Sequence, residues 1–177
     1  MIRVYPRKKL DYSFANIFTA LTMTIVPRLD RSKIITEIEN LWPMENVIAG
    51  LSVRTIFDSL LSTKKFEKGS EVIMTGITIP DMVKIVESHD LKIVPIDLNM
   101  ETLQVKKEAL NKAISKKTVM IVVAHLFGSR MEMGPIYEAL DKRSDILIIE
   151  DCAQAYNGIN GYTKQSKTDI SMFSFGS

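Results

Sequence analysis

From position 46 onward, short apolar runs alternate with segments whose apolar residues recur at helical spacing. Two central runs, Val119–Ala124 and Ile146–Ile149, are apolar at consecutive positions rather than at every second one. Because successive side chains of a strand point to opposite faces, such runs belong to strands that are buried on both faces. Strands of this kind form parallel sheets covered by helices on either side. The pattern therefore predicts an α/β fold, a three-layer sandwich with a mostly parallel central sheet.

The predicted strands and helices follow one another in turn, with a polar loop before the last strand. A serine, Ser52, is placed to cap the first helix of this region, and Gly69 follows that helix as a breaker. The predicted strands are Glu71–Gly76, Lys92–Leu98, Val119–His125, Ile146–Asp151 and Ile170–Phe175, and the helices are Val53–Phe66, Asp81–His89, Val105–Ser115 and Met133–Arg143.

Residues 1–45 follow a less regular pattern. Apolar side chains at helical spacing predict an amphipathic surface helix near the N-terminus and a second helix at Arg31–Leu41, which Pro43 ends. We therefore divide the chain into an N-terminal helical segment, 1–45, and a domain at 46–177. The apolar positions of the first helix are Phe14, Ile17, Phe18 and Leu21.

Composition excludes several classes of protein. The 177 residues have a net charge of +2, and their dispersed basic residues form no stripe suited to nucleic acid. The single cysteine, Cys152, allows neither an internal disulfide nor a thiolate metal site, and no apolar run is long enough to span a membrane. Asp11 and Asn16 interrupt the N-terminal apolar stretch, which argues against a signal peptide. We expect a cytoplasmic protein with no metal, nucleic-acid or membrane partner.

In parallel sheets of this kind, ligands bind beyond the carboxyl ends of the strands, and Asp151 ends a buried strand there. A carboxylate in that position is costly unless it meets a cation. The pyridinium nitrogen of pyridoxal 5'-phosphate (PLP) is such a cation. A capping aspartate, a turn-stabilising aspartate or a metal ligand would explain the same residue, so these alternatives stay open on spacing alone.

Two serines and a glycine at the same edge form a candidate anion site. Gly50 and Ser52 open a helix, where free backbone amides and a hydroxyl point at one place. Ser174 ends the last predicted strand, where its hydroxyl could bind a phosphate oxygen. An ordinary helix cap at Ser52 and an ordinary turn serine at Ser174 are the alternatives. We expect His125 to make structural hydrogen bonds and Cys152 to serve in packing.

These pieces, in this order, resemble the DegT/DnrJ/StrS-type aminotransferases, the sugar-aminotransferase branch of PLP enzymes of fold type I. The combination of EDCAQA with FSFG about two dozen residues later is the most specific part of the resemblance, which covers roughly three quarters of the chain. The matching stretches are GSEVIMTGITIPDM (Gly69–Met82), PIDLNMETL (Pro95–Leu103), AHLFG (Ala124–Gly128), IEDCAQA (Ile149–Ala155) and DISMFSFG (Asp169–Gly176).

The resemblance implies roles around the cofactor, PLP. Asp151 would bind the pyridine nitrogen, Gln154 would lie near the phenolic oxygen, and Ser174 would hold the phosphate together with the loop at Gly50–Ser52. Ile79 falls where many members place an aromatic ring over the cofactor, so packing on the ring is kept but stacking is lost. Leu51 replaces a common serine or threonine, which removes one phosphate donor.

The Schiff-base lysine of the family would lie two positions beyond Ser177, so we assign no catalytic residue within the chain. The small C-terminal domain of the family is also absent from these residues. The resemblance implies the N-terminal part of an aminotransferase that passes an amino group from a donor such as glutamate to a keto-sugar nucleotide. We expect weak or absent PLP binding and no transamination by the 177 residues alone.

Three further functions are considered. A non-catalytic, truncated paralogue could act as a binding or dimerisation partner, since complete family members are homodimers with the site at the interface. Some relatives replace the lysine with histidine and act as dehydratases, and the position that decides this lies outside the chain. A dinucleotide-binding module is disfavoured because the sequence contains no GxGxxG.

Overall fold

The structure is a computed structural model that describes residues 13–25, 30–42, 46–156 and 167–175. The chain divides into two compact units, Met1–Trp42 and Pro43–Ser177. The first contains helix α1 (Phe14–Ile25), which includes the four predicted apolar positions, and helix α2 (Arg31–Asn40), which ends one residue before its predicted end. Asp30 caps α2 by accepting hydrogen bonds from the amides of Ser32 and Lys33. The amides in the first turn of a helix have no partner within the helix, so a cap of this kind stabilises it.

The second unit contains all of the strands. Its elements alternate as the sequence predicts, and they run in chain order as α3 (Val53–Lys64), β1 (Glu71–Thr75), α4 (Pro80–Ser88), β2 (Lys92–Ile96), α5 (Lys107–Ala113), β3 (Thr118–Ala124), α6 (Gly134–Ala139), β4 (Leu147–Asp151) and β5 (Ile170–Met172).

The five strands form one sheet in the order β2-β1-β3-β4-β5, and every pair of neighbouring strands is parallel. The chain runs outward from β1 to β2 and then returns to the other side of β1 at β3. The direction of winding therefore changes between β1 and β3, which is where sheets of this class open a crevice for ligands.

Alternate residues of each strand enter two separate cores, one on each face of the sheet. In β3, Met120 and Val122 pack toward α3 and α4, whereas Ile121 and Val123 pack toward α5 and α6. Phe57 of α3 is fully buried in the first core. The continuous apolar runs thus cover both faces, and the predicted three-layer sandwich with a parallel sheet is confirmed.

Some predicted elements are shorter in the structure. The last strand ends at Met172 rather than Phe175, because β5 lies at the edge of the sheet and pairs only with Ile149–Asp151. The predicted helix from Val105 begins at Lys107, since Val105 instead forms an isolated antiparallel bridge with Leu98. Both differences arise from pairing between strands, which local periodicity does not encode.

Candidate functional site

The carboxyl ends of the five parallel strands all lie at one edge of the sheet. The loops that leave this edge begin at Gly76, Asp97, His125, Cys152 and Phe173. The N-terminus of α3 reaches the same edge, because the C-terminus of this helix leads by a short loop into the amino end of β1. The sheet therefore gathers segments from distant parts of the sequence around one crevice.

Two adjacent carboxylates end β4, and they point to opposite faces of the sheet. Glu150 lies on the same face as Ile148, which packs in the core beneath α5 and α6. Asp151 lies on the same face as Ile149, which packs beneath α3 and α4. Only Asp151 is therefore directed to the side of the sheet where α3 begins.

Asp151 is only 9% exposed and is only partly satisfied by the protein. Its Oδ1 accepts a hydrogen bond from the amide of Ala153 at 3.1 Å. Within the described ranges, no side chain donates to either of its oxygens. Burial raises the pKa of the Asp151 carboxyl above its ordinary value, and the bond from Ala153 offsets this in part. The ionised form would be stabilised by a cation or a protonated ring nitrogen brought to it.

Glu150, in contrast, is fully engaged within the protein. Its Oε2 accepts bonds from His125 Nε2 at 2.7 Å and from an Arg130 Nη at 3.1 Å. The Thr168 hydroxyl donates to Oε1. Burial alone would raise the pKa of Glu150, but the bonds from His125, Thr168 and Arg130 outweigh it and hold that pKa at about 2. Glu150 therefore links three segments by hydrogen bonds: the end of β3, the loop that follows β3, and the residues just before β5.

The tautomer of His125 follows from its two contacts. The amide of Met131 donates to Nδ1 at 2.9 Å, so this nitrogen is an acceptor. The ring proton then lies on Nε2 and is donated to Glu150. The structural hydrogen bonding expected of His125 is observed, and it orients the loop that follows β3.

The same buried region contains the one group of possible metal ligands found in the described part of the chain: His125, Glu150 and Cys152. Both nitrogens of His125 are already hydrogen-bonded, and Glu150 is paired with Arg130. Burial, followed by the nearby Glu150 charge, raises the pKa of the Cys152 thiol to about 12, which keeps it protonated. These three residues therefore form a structural cluster and not an available metal site.

Gln154 follows Asp151 closely and links two loops at the carboxyl edge. Its backbone carbonyl accepts a hydrogen bond from Gly128 at 2.9 Å, and its side-chain Oε1 accepts one from Phe127 at 3.4 Å. Phe127 and Gly128 both have positive φ, at 56° and 81°, so the chain turns sharply here. The exposed amide of Gln154 thus sits beside Asp151 in sequence and against the loop that follows β3.

The N-terminus of α3 is the segment that the sequence predicts to bind an anion. Ser52 caps the helix, with its hydroxyl oxygen 3.1 Å from the amide of Thr55. A Cβ added at Gly50 would lie 2.8 Å from Cγ1 of Ile56, so only glycine lets the chain pass this closely over the first turn. The remaining amides of the first turn have no partner within the helix and point outward from it.

The last two predicted site residues are also at this edge. Ile79 precedes Pro80 at the start of α4 and is 43% exposed. Ser174 lies two residues beyond β5, between Phe173 and Phe175 in the sequence, and is half-buried. The rings of these two phenylalanines meet Tyr156 edge to face, with centroids 5.8 and 5.0 Å away. These ring contacts pack the segment that contains Ser174 against the loop that follows β4.

The structure thus places all six predicted site residues in segments at the carboxyl edge, and no hydrogen bond within the described ranges joins any two of them. The sequence assigned no role to Glu150, Arg130 or Thr168. The contact between Glu150 and His125 could have been predicted from the order of the strands. Val123 is the partner of Glu150 in the sheet, and His125 lies two residues after Val123 on the same face of β3. Arg130 and Thr168 lie in loops, where no periodicity predicts position.

Comparison with known proteins identifies relatives of this region. The sequence profile of the DegT/DnrJ/EryC1/StrS aminotransferase family matches residues 37–177. The L-glutamine:2-deoxy-scyllo-inosose aminotransferase of Micromonospora echinospora is 35% identical over 88 residues, which are 50% of this chain and 21% of that protein. The GDP-perosamine synthase of Escherichia coli O157:H7 is 32% identical over 109 residues, 61% of this chain and 30% of that protein.

Solved structures agree on the fold. The E. coli GDP-4-keto-6-deoxy-D-mannose-3-dehydratase with bound hydrated PLP superposes with a TM-score of 0.72 at 17% identity, covering 87% of this chain and 42% of that one. PLP is accordingly a cofactor of the relatives, and at this identity the likeness shows the fold. The matches to these relatives span less than half of their length.

Proposed function

Because the chain belongs to the DegT/DnrJ/EryC1/StrS aminotransferase family, we propose that residues 46–177 form the N-terminal part of a PLP-dependent aminotransferase acting on a keto-sugar nucleotide or a similar compound. The amino donor would be a small amino acid such as glutamate. The names of the relatives, an inosose aminotransferase and a GDP-perosamine synthase, support a sugar-like acceptor.

The observation that carries the proposal is the Asp151 carboxylate. It is buried and lies on the α3 side of the sheet, and among the described residues its one hydrogen-bond donor is the amide of Ala153. The neighbouring Glu150 has its own cation in Arg130, whereas no cation of the described residues bonds to Asp151. A protonated ring nitrogen would supply the missing partner, so the residues present fit PLP.

The other predicted residues have matching roles. The first turn of α3, with Ser52 and the close-passing Gly50, would bind the phosphate through amides and a hydroxyl, and Ser174 would add a second hydroxyl. Ile79 would cover one face of the ring, and Gln154 would donate to its phenolic oxygen. Once bound, PLP supplies an electron sink for proton removal next to the amino group.

Asp151 would hold the proton on the ring nitrogen throughout, and its buried position would keep water from competing for that hydrogen bond. No residue of positions 1–177 is assigned the role of the Schiff-base lysine. We therefore propose that these residues bind PLP weakly and without turnover, and that activity belongs to a polypeptide in which a lysine is also supplied.

The test is a chemical-shift titration of the ¹⁵N-labelled chain with PLP, which detects weak binding. We expect amide shifts to concentrate at 50–55 and 151–154. Asp151→Asn should weaken binding by about tenfold, because it removes a charge-assisted hydrogen bond. Asp97→Asn, at the end of β2 on the same edge, is the matched control and should leave the affinity unchanged. Scattered shifts, or equal affinity of the Asp151→Asn variant, would contradict the proposal.

A second candidate is the non-catalytic partner protein, in which the carboxyl edge binds another chain. It is supported by the exposed apolar side chains at this edge, which include Leu51 at 81% and Phe127 at 75% exposure. Surfaces of this kind mark sites of protein association. The two candidates differ in their first readout, since one predicts saturable PLP binding and the other predicts association of chains without it.

A further inference from the structure

Helix α1 exposes a continuous apolar stripe. None of its twelve residues is buried, and none is charged. Five large apolar side chains recur three or four positions apart and fall within an arc of about 100° around the helix axis. They are between 50% and 92% exposed, and they are Phe14, Ile17, Phe18, Leu21 and Ile25.

The three threonine hydroxyls of α1 are bonded to its own backbone. The hydroxyls of Thr19, Thr22 and Thr24 donate to carbonyls three or four residues earlier, at 2.9, 2.8 and 2.6 Å. Such internal bonds reduce the desolvation cost when a helix enters a medium of low polarity. The threonines of α1 therefore add little to the cost of taking the helix out of bulk water, and none of its side chains is charged.

Positive charge is concentrated in the same part of the sequence. Positions 1–36 contain seven Lys or Arg against two Asp, a net charge of +5, whereas positions 37–177 contain sixteen Lys or Arg against nineteen Asp or Glu, a net charge of −3. The family profile begins at residue 37, so α1 and the basic positions around it precede the residues that the profile matches.

We propose that α1 is an interfacial helix that binds the chain to anionic membrane surfaces, lying in the plane of the bilayer with its apolar stripe among the acyl chains. Apolar anchoring combined with basic residues is the chemistry that recognises anionic lipid headgroups. A second copy of the chain is disfavoured as the occupant, because two segments of net charge +5 would repel each other.

Spanning is not required for this role. Twelve helical residues extend about 18 Å, short of the roughly 30 Å of a bilayer core. None of the helices in the described ranges is long and apolar enough to cross a membrane. The sequence analysis expects no membrane partner because no segment of the sequence could span a membrane. A helix that lies in the interface does not need to span the membrane, so this proposal departs from that expectation.

The experiment is co-sedimentation of the 177-residue protein with phosphatidylglycerol vesicles and with phosphatidylcholine vesicles. We expect binding to the anionic vesicles that weakens as salt is raised. Leu21→Gln, on the apolar stripe, should lower the partition coefficient by about tenfold or more. Thr19→Gln, on the opposite side of the same helix, is the matched control and should change it by less than about twofold.

The charged positions are tested separately. Replacing Lys8 and Lys9 together by glutamine should lower binding to the anionic vesicles by about tenfold and leave any residual binding to phosphatidylcholine unchanged. Circular dichroism and light scattering on each variant verify that folding and mass are unaltered. No binding to anionic vesicles would overturn the proposal. Equal losses for Leu21→Gln and Thr19→Gln would do the same, as would a change of oligomeric mass in Leu21→Gln without vesicle binding.

Discussion

The two carboxylates that end β4 show how neighbouring residues of one type acquire opposite properties. Glu150 receives hydrogen bonds from His125, Arg130 and Thr168, which hold its pKa at about 2. Asp151 is buried, accepts one hydrogen bond from the part of the chain that the structure describes, and has its pKa raised by burial. The first carboxylate therefore stabilises the fold by being charged, whereas the second is costly to charge until a ligand arrives.

Their substitutions should accordingly act in opposite directions on the free energy of unfolding. Glu150→Gln should destabilise the chain by about 2 kcal/mol at pH 7, because it removes a buried carboxylate that accepts hydrogen bonds from His125, Thr168 and Arg130. A depressed folded pKa contributes stability above the ordinary pKa of 4.5, and this is lost as pH falls toward about 2. The difference in unfolding free energy between Glu150→Gln and wild type should therefore be smaller at pH 3 than at pH 7. Urea unfolding of both proteins at the two pH values measures this difference.

Asp151→Asn provides the comparison, since asparagine can still accept from Ala153. A raised folded pKa makes the ionised form unfavourable, so stability is lost as pH rises through that pKa. The variant should be more stable than wild type at pH 7 and equal to it below the ordinary pKa of 3.8. Glu138→Gln, an exposed glutamate paired with Lys107, should change little. Destabilisation by Asp151→Asn at neutral pH would contradict the assignment of its environment.

How far the sequence predicts these residues depends on what determines each position. Asp151 could be predicted, because it ends an apolar strand in a parallel sheet, where a carboxylate is costly and ligands bind. The cluster around Glu150 could not, since Arg130 and Thr168 reach it from loops 20 and 18 residues away in the sequence. Loop geometry depends on tertiary packing and leaves no periodic signal.

At the scale of elements, the N-terminus of α3 combines a structural cap with the proposed phosphate site. Ser52 serves the first role visibly, through its bond from the amide of Thr55. The sequence predicts the cap, because serine stands directly before an amphipathic helix. It does not predict the close passage of Gly50 over Ile56, which depends on how the preceding segment folds back.

The two roles of Ser52 can be separated by two substitutions. Ser52→Ala should cost about 1 kcal/mol of unfolding free energy, because the cap is lost. Ser52→Asp should keep the cap and the stability, since aspartate is an equally good capping residue. It should nevertheless abolish PLP binding in the same titration, because a carboxylate would repel the phosphate. Ser59→Ala, in the middle of the exposed face of α3, is the control and should affect neither property. Retained PLP binding in Ser52→Asp would place the phosphate elsewhere.

The bounds of some helices and strands depend on the local sequence, and those of others depend on tertiary contacts. The helices and strands of the second unit could be predicted from periodicity because both faces of the sheet are buried and the pattern is strong. The end of β5 could not, since its length is limited by the three residues of β4 that it pairs with. Val105 likewise reads as helical in sequence but bridges to Leu98 in the fold.

At the scale of the whole molecule, the apolar surface of the second unit is concentrated at the edge that carries the candidate site. All eight of the exposed large apolar residues in its described part lie in segments at the carboxyl edge. The amino edge and the outer helix faces are polar by comparison. The eight residues are Ile48, Leu51, Ile77, Ile79, Met100, Phe127, Tyr156 and Phe175.

Such an edge should cause the purified chain to self-associate, because apolar area left in water is stabilised by burial against a second copy. Sedimentation equilibrium should give an average mass that rises above 20.0 kDa with concentration. The double variant Leu51→Asn/Phe127→Asn should weaken association by at least about tenfold. Asparagine also suits the positive φ of position 127, so folding should be preserved. Leu41→Asn, at a leucine of the first unit that is 68% exposed, is the control, and an equal effect there would show that association is not specific to the carboxyl edge. A wild-type chain that stays at 20.0 kDa at every concentration would mean that its apolar edge is stable in water without a partner.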